Sequence, residues 1–157
     1  MGLQLLKSRR KKSTQRTVTR SKNLYVNLLI KIYRFLARKT KSKFNITILK
    51  RLFNSRSHQS PISLSRLAKF SNEGKIIVIV GKILNDERNL LTPKMSICAL
   101  KFSASARKRI LEGGGKIITF DQLAKVNPTG KNTLLLRGLN KGKPLKKKRN
   151  LISKKTT

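Results

Sequence analysis

Apolar positions along the chain fall into two regimes, helical spacing in the first half and short β-branched runs in the second. From Leu24 onward, Tyr25, Leu28, Leu29, Ile32 and Leu36 recur at helical spacing with Phe35 beside them, while Lys31, Arg34 and Arg38 recur at i, i+3 and i+7 on another face. That pattern predicts an amphipathic helix with a cationic back. Phe44, Ile48, Leu49, Leu52 and Phe53 make a second stripe over 44 to 53, with Lys43, Lys50 and Arg51 off it, so the two stripes are expected to pack together. Pro61 interrupts the pattern, and Ser63 is placed to cap a short helix through Lys69 with its hydroxyl.

After Asn72 the period changes. Ile76 to Val80 is a continuous β-branched run ended by Gly81, as in a strand buried on both faces, and Ser96 to Phe102 is a second strand candidate. Asn85 to Arg88 reads as a polar turn between them. Ser103 to Leu111 reads as a helix capped by Ser103 or Ser105 and ended by Gly113 to Gly115. Lys116 to Phe120 is a short strand, Asp121 an N-cap for Gln122 to Lys125, Asn127 to Gly130 a turn, and Thr133 to Arg137 a last strand. Alternation of strands and helices predicts an α/β layer with parallel strands joined through helices. The organisation expected is a basic arm over 1–22 that is disordered until its target orders it, amphipathic basic helices over 23–70, a small α/β body over 71–138 and a basic tail over 139–157.

Charge changes the picture from fold to partner. The 157 residues carry 39 Lys and Arg against 5 Asp and Glu, a formal net charge of +34, and the first acid along the chain is Glu73. A solvated Lys face normally interleaves Glu and Asp at i, i+4, and here those acids are missing, so a polyanion is the expected partner. The candidate phosphate contacts are Arg9, Arg10, Lys11, Lys12, Arg16 and Arg20 in the arm, Arg34, Arg38, Lys39, Lys43, Lys50 and Arg51 on the helices, and Arg56, His58, Arg66, Arg107 and Lys116 beyond them. Aromatics are 5% of residues and fall mostly on the stripes expected to be buried, so backbone contact outweighs base stacking and shape is read more than sequence.

Other chemistry finds little support. Gly113-Gly114-Gly115-Lys116 invites a phosphate-loop reading, but Ile117 stands where a hydroxyl should be and the order is helix, loop, strand. The three glycines more simply allow left-handed backbone or close approach to a partner, RNA included. Asp86 and Glu87 are adjacent in a turn and read as solvated, while Cys98 in an apolar strand reads as a small core residue. With Cys98 and His58 each alone of its type, neither a disulfide nor a Cys/His zinc site can be assembled, and no cofactor or catalytic set is expected. No run approaches the roughly 18 apolar residues of a membrane span, and the opening residues lack a signal peptide or a myristoylation signal, so a soluble intracellular protein is expected.

A family resemblance then emerges from separated motifs. Ile32-Tyr33-Arg34-Phe35-Leu36-Ala37-Arg38-Lys39-Thr40, Leu49-Lys50-Arg51-Leu52-Phe53 with Ser55-Arg56, and Ser63-Leu64-Ser65-Arg66 resemble the eukaryotic large-subunit ribosomal protein family L-eighteen-e. Pro93-Lys94, Ile97-Cys98-Ala99-Leu100, Ala106-Arg107 with Arg109-Ile110-Leu111, Gly114-Gly115-Lys116-Ile117 and Thr119 to Ala124 continue it, over about Ser21 to Lys143. The resemblance implies a structural protein of the large ribosomal subunit, not an enzyme, with large-subunit rRNA and neighbouring ribosomal proteins as partners. It also implies the cytoplasmic ribosome as location, with assembly in the nucleus and nucleolus, and an irregular ββα domain related to the L-fifteen family. Family members carry a longer tail beyond the position of Lys143, where this sequence has a short lysine run. The charge alone leaves a DNA-compacting chromatin protein as the alternative.

Overall fold

In a computed structural model the described residues are 16–19, 21–55, 58–71, 74–88 and 91–138. Two helices come first, α1 (Leu24–Thr40) and α2 (Lys43–Leu52), each opened by a side chain that accepts from a first-turn N–H. Asn23 Oδ1 takes the Tyr25 N–H at 3.0 Å, and Ser42 Oγ takes that of Phe44 at 3.2 Å. Arg38 and Lys39 stand in the last turn of α1, where the exposed carbonyls favour cations. There follow β1 (Ile62–Ser63), α3 (Leu64–Ala68), β2 (Ile76–Leu84), β3 (Ser96–Phe102), α4 (Ala104–Glu112), β4 (Lys116–Ile118), α5 (Phe120–Val126) and β5 (Thr133–Leu136).

Among the described residues the five strands are all parallel and β2 is their hub. One of its edges pairs with β3, which pairs onward with β4; the other is shared, β5 running along Ile76–Ile79 and β1 along Ile83–Leu84. Side chains alternating from β2 and β3 feed two cores on opposite faces of this sheet. Val78, Val80 and Cys98 pack with Leu29, Ile30 and Tyr33 of α1, Ile48 and Leu52 of α2, and Phe120 and Leu123 of α5. Ile77, Ile79, Ile83, Ile97 and Ala99 pack with Leu64 and Leu67 of α3 and Ala106 and Ile110 of α4. The result is a three-layer α/β/α arrangement, the parallel sheet that alternation predicts, with the β2-β3-α4 order that the family resemblance implies.

Several expectations need correction. The buried stripe of α1 is Leu29, Ile30 and Tyr33, flanked by Val26 and Leu36, about a quarter turn from the expected one. Tyr25, Leu28, Ile32 and Phe35 are therefore exposed at 41%, 47%, 38% and 59%. Tyr33 decides the rotation: its hydroxyl donates to the Phe120 carbonyl at 3.1 Å, and the two rings meet edge to face at 6.0 Å. The strand beginning at Ile76 does not stop at Gly81 but runs to Leu84, with a register shift against β3 between Ile79 and Lys82. The loop between β2 and β3 carries no helix among its described residues.

Caps also differ. The Ser63 hydroxyl accepts no capping backbone N–H from the first turn of α3; it bonds instead to Ser65 Oγ at 3.2 Å, which donates to the Asp86 carboxylate. Asp86 is thus tied down rather than simply solvated, also accepting from the Arg88 N–H at 3.3 Å. Thr119, not Asp121, caps α5: Gln122 Oε1 accepts the Thr119 N–H at 3.1 Å, and the strand before it ends at Ile118. The triple glycine serves internal packing. A Cβ on Gly115 would lie 2.7 Å from the Met95 carbonyl, and one on Gly113 would lie 2.8 Å from that of Thr92. The chain's own 92–95 segment occupies the space in which RNA could have approached those two residues.

Candidate nucleic-acid interface

The helical layer presents its cations outward. Arg34, Arg38 and Lys39 on α1 and Lys43 and Lys50 on α2 are exposed, and among the described residues no carboxylate lies within ion-pair distance of any of them. The Arg34 guanidinium sits 6.0 Å above the Phe53 ring, which braces it on the surface. On the opposite layer Lys108 pairs with Glu112 at 3.8 Å. There the Arg109 Nη1 also donates to Asn85 Oδ1 at 3.1 Å and to the Asp86 carbonyl at 2.6 Å.

Not every predicted contact is free for a partner. Arg51 is half-buried and its Nη1 donates to the Leu136 carbonyl at 2.6 Å, tying α2 to β5. Burial, and then the nearby Arg137 charge, lower the pKa of that guanidinium. His58 is exposed with Nδ1 3.0 Å from Ser55 Oγ. Arg66 on α3, Arg107 on α4 and Lys116 at the start of β4 are exposed but belong to the other layer or to the sheet's end, away from the α1–α2 cluster. Arg16 is exposed near the start of α1. Arg9, Arg10, Lys11, Lys12, Arg20 and Arg56 lie outside the described residues, as does the basic run after Gly138.

Both aspartates are engaged. Tyr25 donates to Asp121 Oδ1 at 2.9 Å, joining α1 to α5. Burial and that bond push the tyrosine hydroxyl up to about 12, while bonds from Thr119 and Tyr25 hold the Asp121 carboxyl below the usual carboxylate range. Bonds from Ser65 and the Arg88 N–H do the same for Asp86. Burial raises the Cys98 thiol, consistent with a core role.

Sequence reasoning missed one grouping. A groove of about 680 Å³ opens between the chain around Arg16 and Lys22, the start of α1, the end of α2 and the C-terminal part of β2 and β3 at Gly81, Lys82 and Lys101. Lys82 and Lys101 are register partners on β2 and β3. Their pairing follows from the register shift, which no sequence period announces, although a lysine following glycine inside a β-branched strand was a signal.

Residues 2–155 match the model of the family described as ribosomal protein 60S L18 and 50S L18e. The chain belongs to that family. It is 54% identical to large ribosomal subunit protein eL18 of Aedes aegypti over 81% of this chain and 70% of that protein. It is also 51% identical to eL18B of Schizosaccharomyces pombe over 88% and 76%, and 48% identical to eL18 of Trypanosoma brucei brucei over 91% and 79%.

Proposed function

We propose that this chain is a structural constituent of the large ribosomal subunit, holding large-subunit rRNA by its phosphates, and that it works without catalysis. Membership of the ribosomal family over residues 2–155 carries the reading, and the acid-free cationic layer of α1 and α2 supports it. The relatives' ribosomal names weigh against DNA compaction. Arg34, Arg38, Lys39, Lys43 and Lys50 make the central contacts, each displacing condensed counterions from RNA. Arg16, His58, Arg66, Arg107 and Lys116 contribute at the periphery, and Arg51 chiefly holds β5 in place beneath them. The exposed apolar side chains of Leu28, Ile32 and Phe35 beside those cations suit neighbouring proteins of the subunit better than phosphates. The site of action is the cytoplasmic ribosome, after assembly in the nucleolus.

Sucrose-gradient sedimentation of native lysate in moderate and high salt, following the chain by mass spectrometry, tests this. Co-sedimentation with the large subunit through the high-salt wash is expected. Migration with chromatin, or as free protein, would overturn the assignment.

A further inference from the structure

We propose that the groove bounded by Arg16, Lys22 and the Lys82–Lys101 pair receives one unpaired nucleotide of RNA, with its phosphate across the two lysines and its base on the apolar wall. The inference rests on the RNA-binding role proposed above and makes it specific, since the phosphate contacts of α1 and α2 are indifferent to whether the RNA is paired.

Three observations converge. Lys82 and Lys101 stand opposite one another on adjacent strands, both exposed, and like charges so placed destabilise a sheet unless an anion lies between them. A phosphate is that anion, and the strand spacing of about 4.8 Å brings two ammonium groups within reach of one phosphate. The groove's charged side chains, Arg16, Lys22, Lys82 and Lys101, are all cationic, which selects against a neutral or basic occupant. Its wall combines Tyr25, Val26, Leu52, Phe53 and Leu100, an apolar and aromatic surface of the kind on which unstacked bases rest.

Size and polarity fit the same occupant. The volume of about 680 Å³ lies in the range of small-ligand clefts, roughly 300–1,000 Å³, large enough for a nucleotide and too small for a duplex. Asn54 and Gln59 line it with amides that both donate and accept, as a base edge requires. Gly81 completes the shape. It sits at the register shift with its Cα side turned toward the Ser60 carbonyl, where a Cβ would lie 3.3 Å away, so no side chain projects from this position.

The test uses the full chain and a short single-stranded RNA substituted with 4-thiouridine, irradiated and mapped by mass spectrometry. Labelled peptides containing Tyr25, Phe53 or Leu100 are expected. The double variant K82E/K101E should lose that labelling several-fold, whereas K75E/K94E, an equal change of charge at exposed lysines elsewhere, should retain it. If charge reversal disturbs the strands, K82Q/K101Q asks the same question. Labelling confined to residues 31–51 of α1 and α2, with the peptides of Tyr25, Phe53 and Leu100 unlabelled, sinks the inference while leaving the ribosomal reading intact. Carbodiimide coupling of Lys82 or Lys101 to a carboxylate of another protein in isolated large subunits also sinks it, since the occupant is then an acidic polypeptide. A chain absent from large-subunit fractions overturns the ribosomal reading itself and this inference with it.

Discussion

The two helical layers covering the sheet each bury an apolar cluster but treat charge differently. Behind α3 and α4, Lys108 meets Glu112, Arg109 is spent on the 85–86 turn, and Asp86 is spent on Ser65 and the Arg88 N–H. In front, α1 and α2 carry Arg34, Arg38, Lys39, Lys43 and Lys50 with no acid among the described residues to answer them. One layer answers part of its charge within its own chain, leaving Arg66 and Arg107 exposed, and the other leaves Arg34, Arg38, Lys39, Lys43 and Lys50 to a partner. A single fold thus separates the work of holding the sheet together from that of holding something else.

The comparison breaks if neutralising either layer has the same effect on RNA. The double variant R34Q/R38Q should lower the slope of log affinity against log salt by about two. K69Q/K108Q on the opposite layer should leave that slope nearly unchanged, and equal slopes for both variants would erase the distinction. In stability the layers should behave alike. Phe120→Ala in front should cost about 3–5 kcal/mol and Ile110→Ala behind about 2–5 kcal/mol in urea unfolding, since each empties a fully buried site. A far smaller loss from Phe120→Ala would mean that α1 and α5 are only loosely docked.

Finer effects sharpen the contrast. Gly115→Ala forces a methyl against the Met95 carbonyl and should destabilise by about 1–3 kcal/mol, with the Tm falling accordingly. Acid should weaken both layers, because Asp86 and Asp121 have carboxyl pKa values depressed in the folded state. Their contribution is present above the unfolded carboxylate value of about 3.9 and is lost as pH falls through the folded values, so thermal unfolding below about pH 4 should show a falling Tm. Asp121→Asn should flatten that fall. Lys108→Ala removes a surface pair at largely exposed side chains and should change stability by less than about 0.5 kcal/mol.

Much of this was legible from residue order. The starts of α1 and β3 follow from the apolar periods after Leu24 and Ser96, and that of α4 from Ser103, one of the two caps expected, because caps and periods are local. The face of α1 was not legible: apolar side chains cover more than half of that helix, and only the distant Phe120, through its carbonyl and ring, selects Tyr33 over Phe35. The same holds for the charges. Composition marked Arg34 and Arg51 alike as phosphate contacts, yet Arg51 lies beneath the surface because β5 offers it the Leu136 carbonyl, a long-range fact. Lys82 and Lys101 needed the strand register before they could be seen as a pair.

The shared edge of β2 has a consequence for synthesis. β2 pairs on one side with residues from Ile62–Ser63 and Thr133–Leu136, so its hydrogen bonding is complete only when the last strand has been made. Translation delivers the cationic helices first and the strand that closes their foundation last, and for most of its birth the chain is charge without a finished interior. Limited proteolysis of nascent chains arrested before and after Leu136 should show Ile76–Leu84 becoming protected only in the longer ones. Early protection would mean that the sheet forms without its final strand.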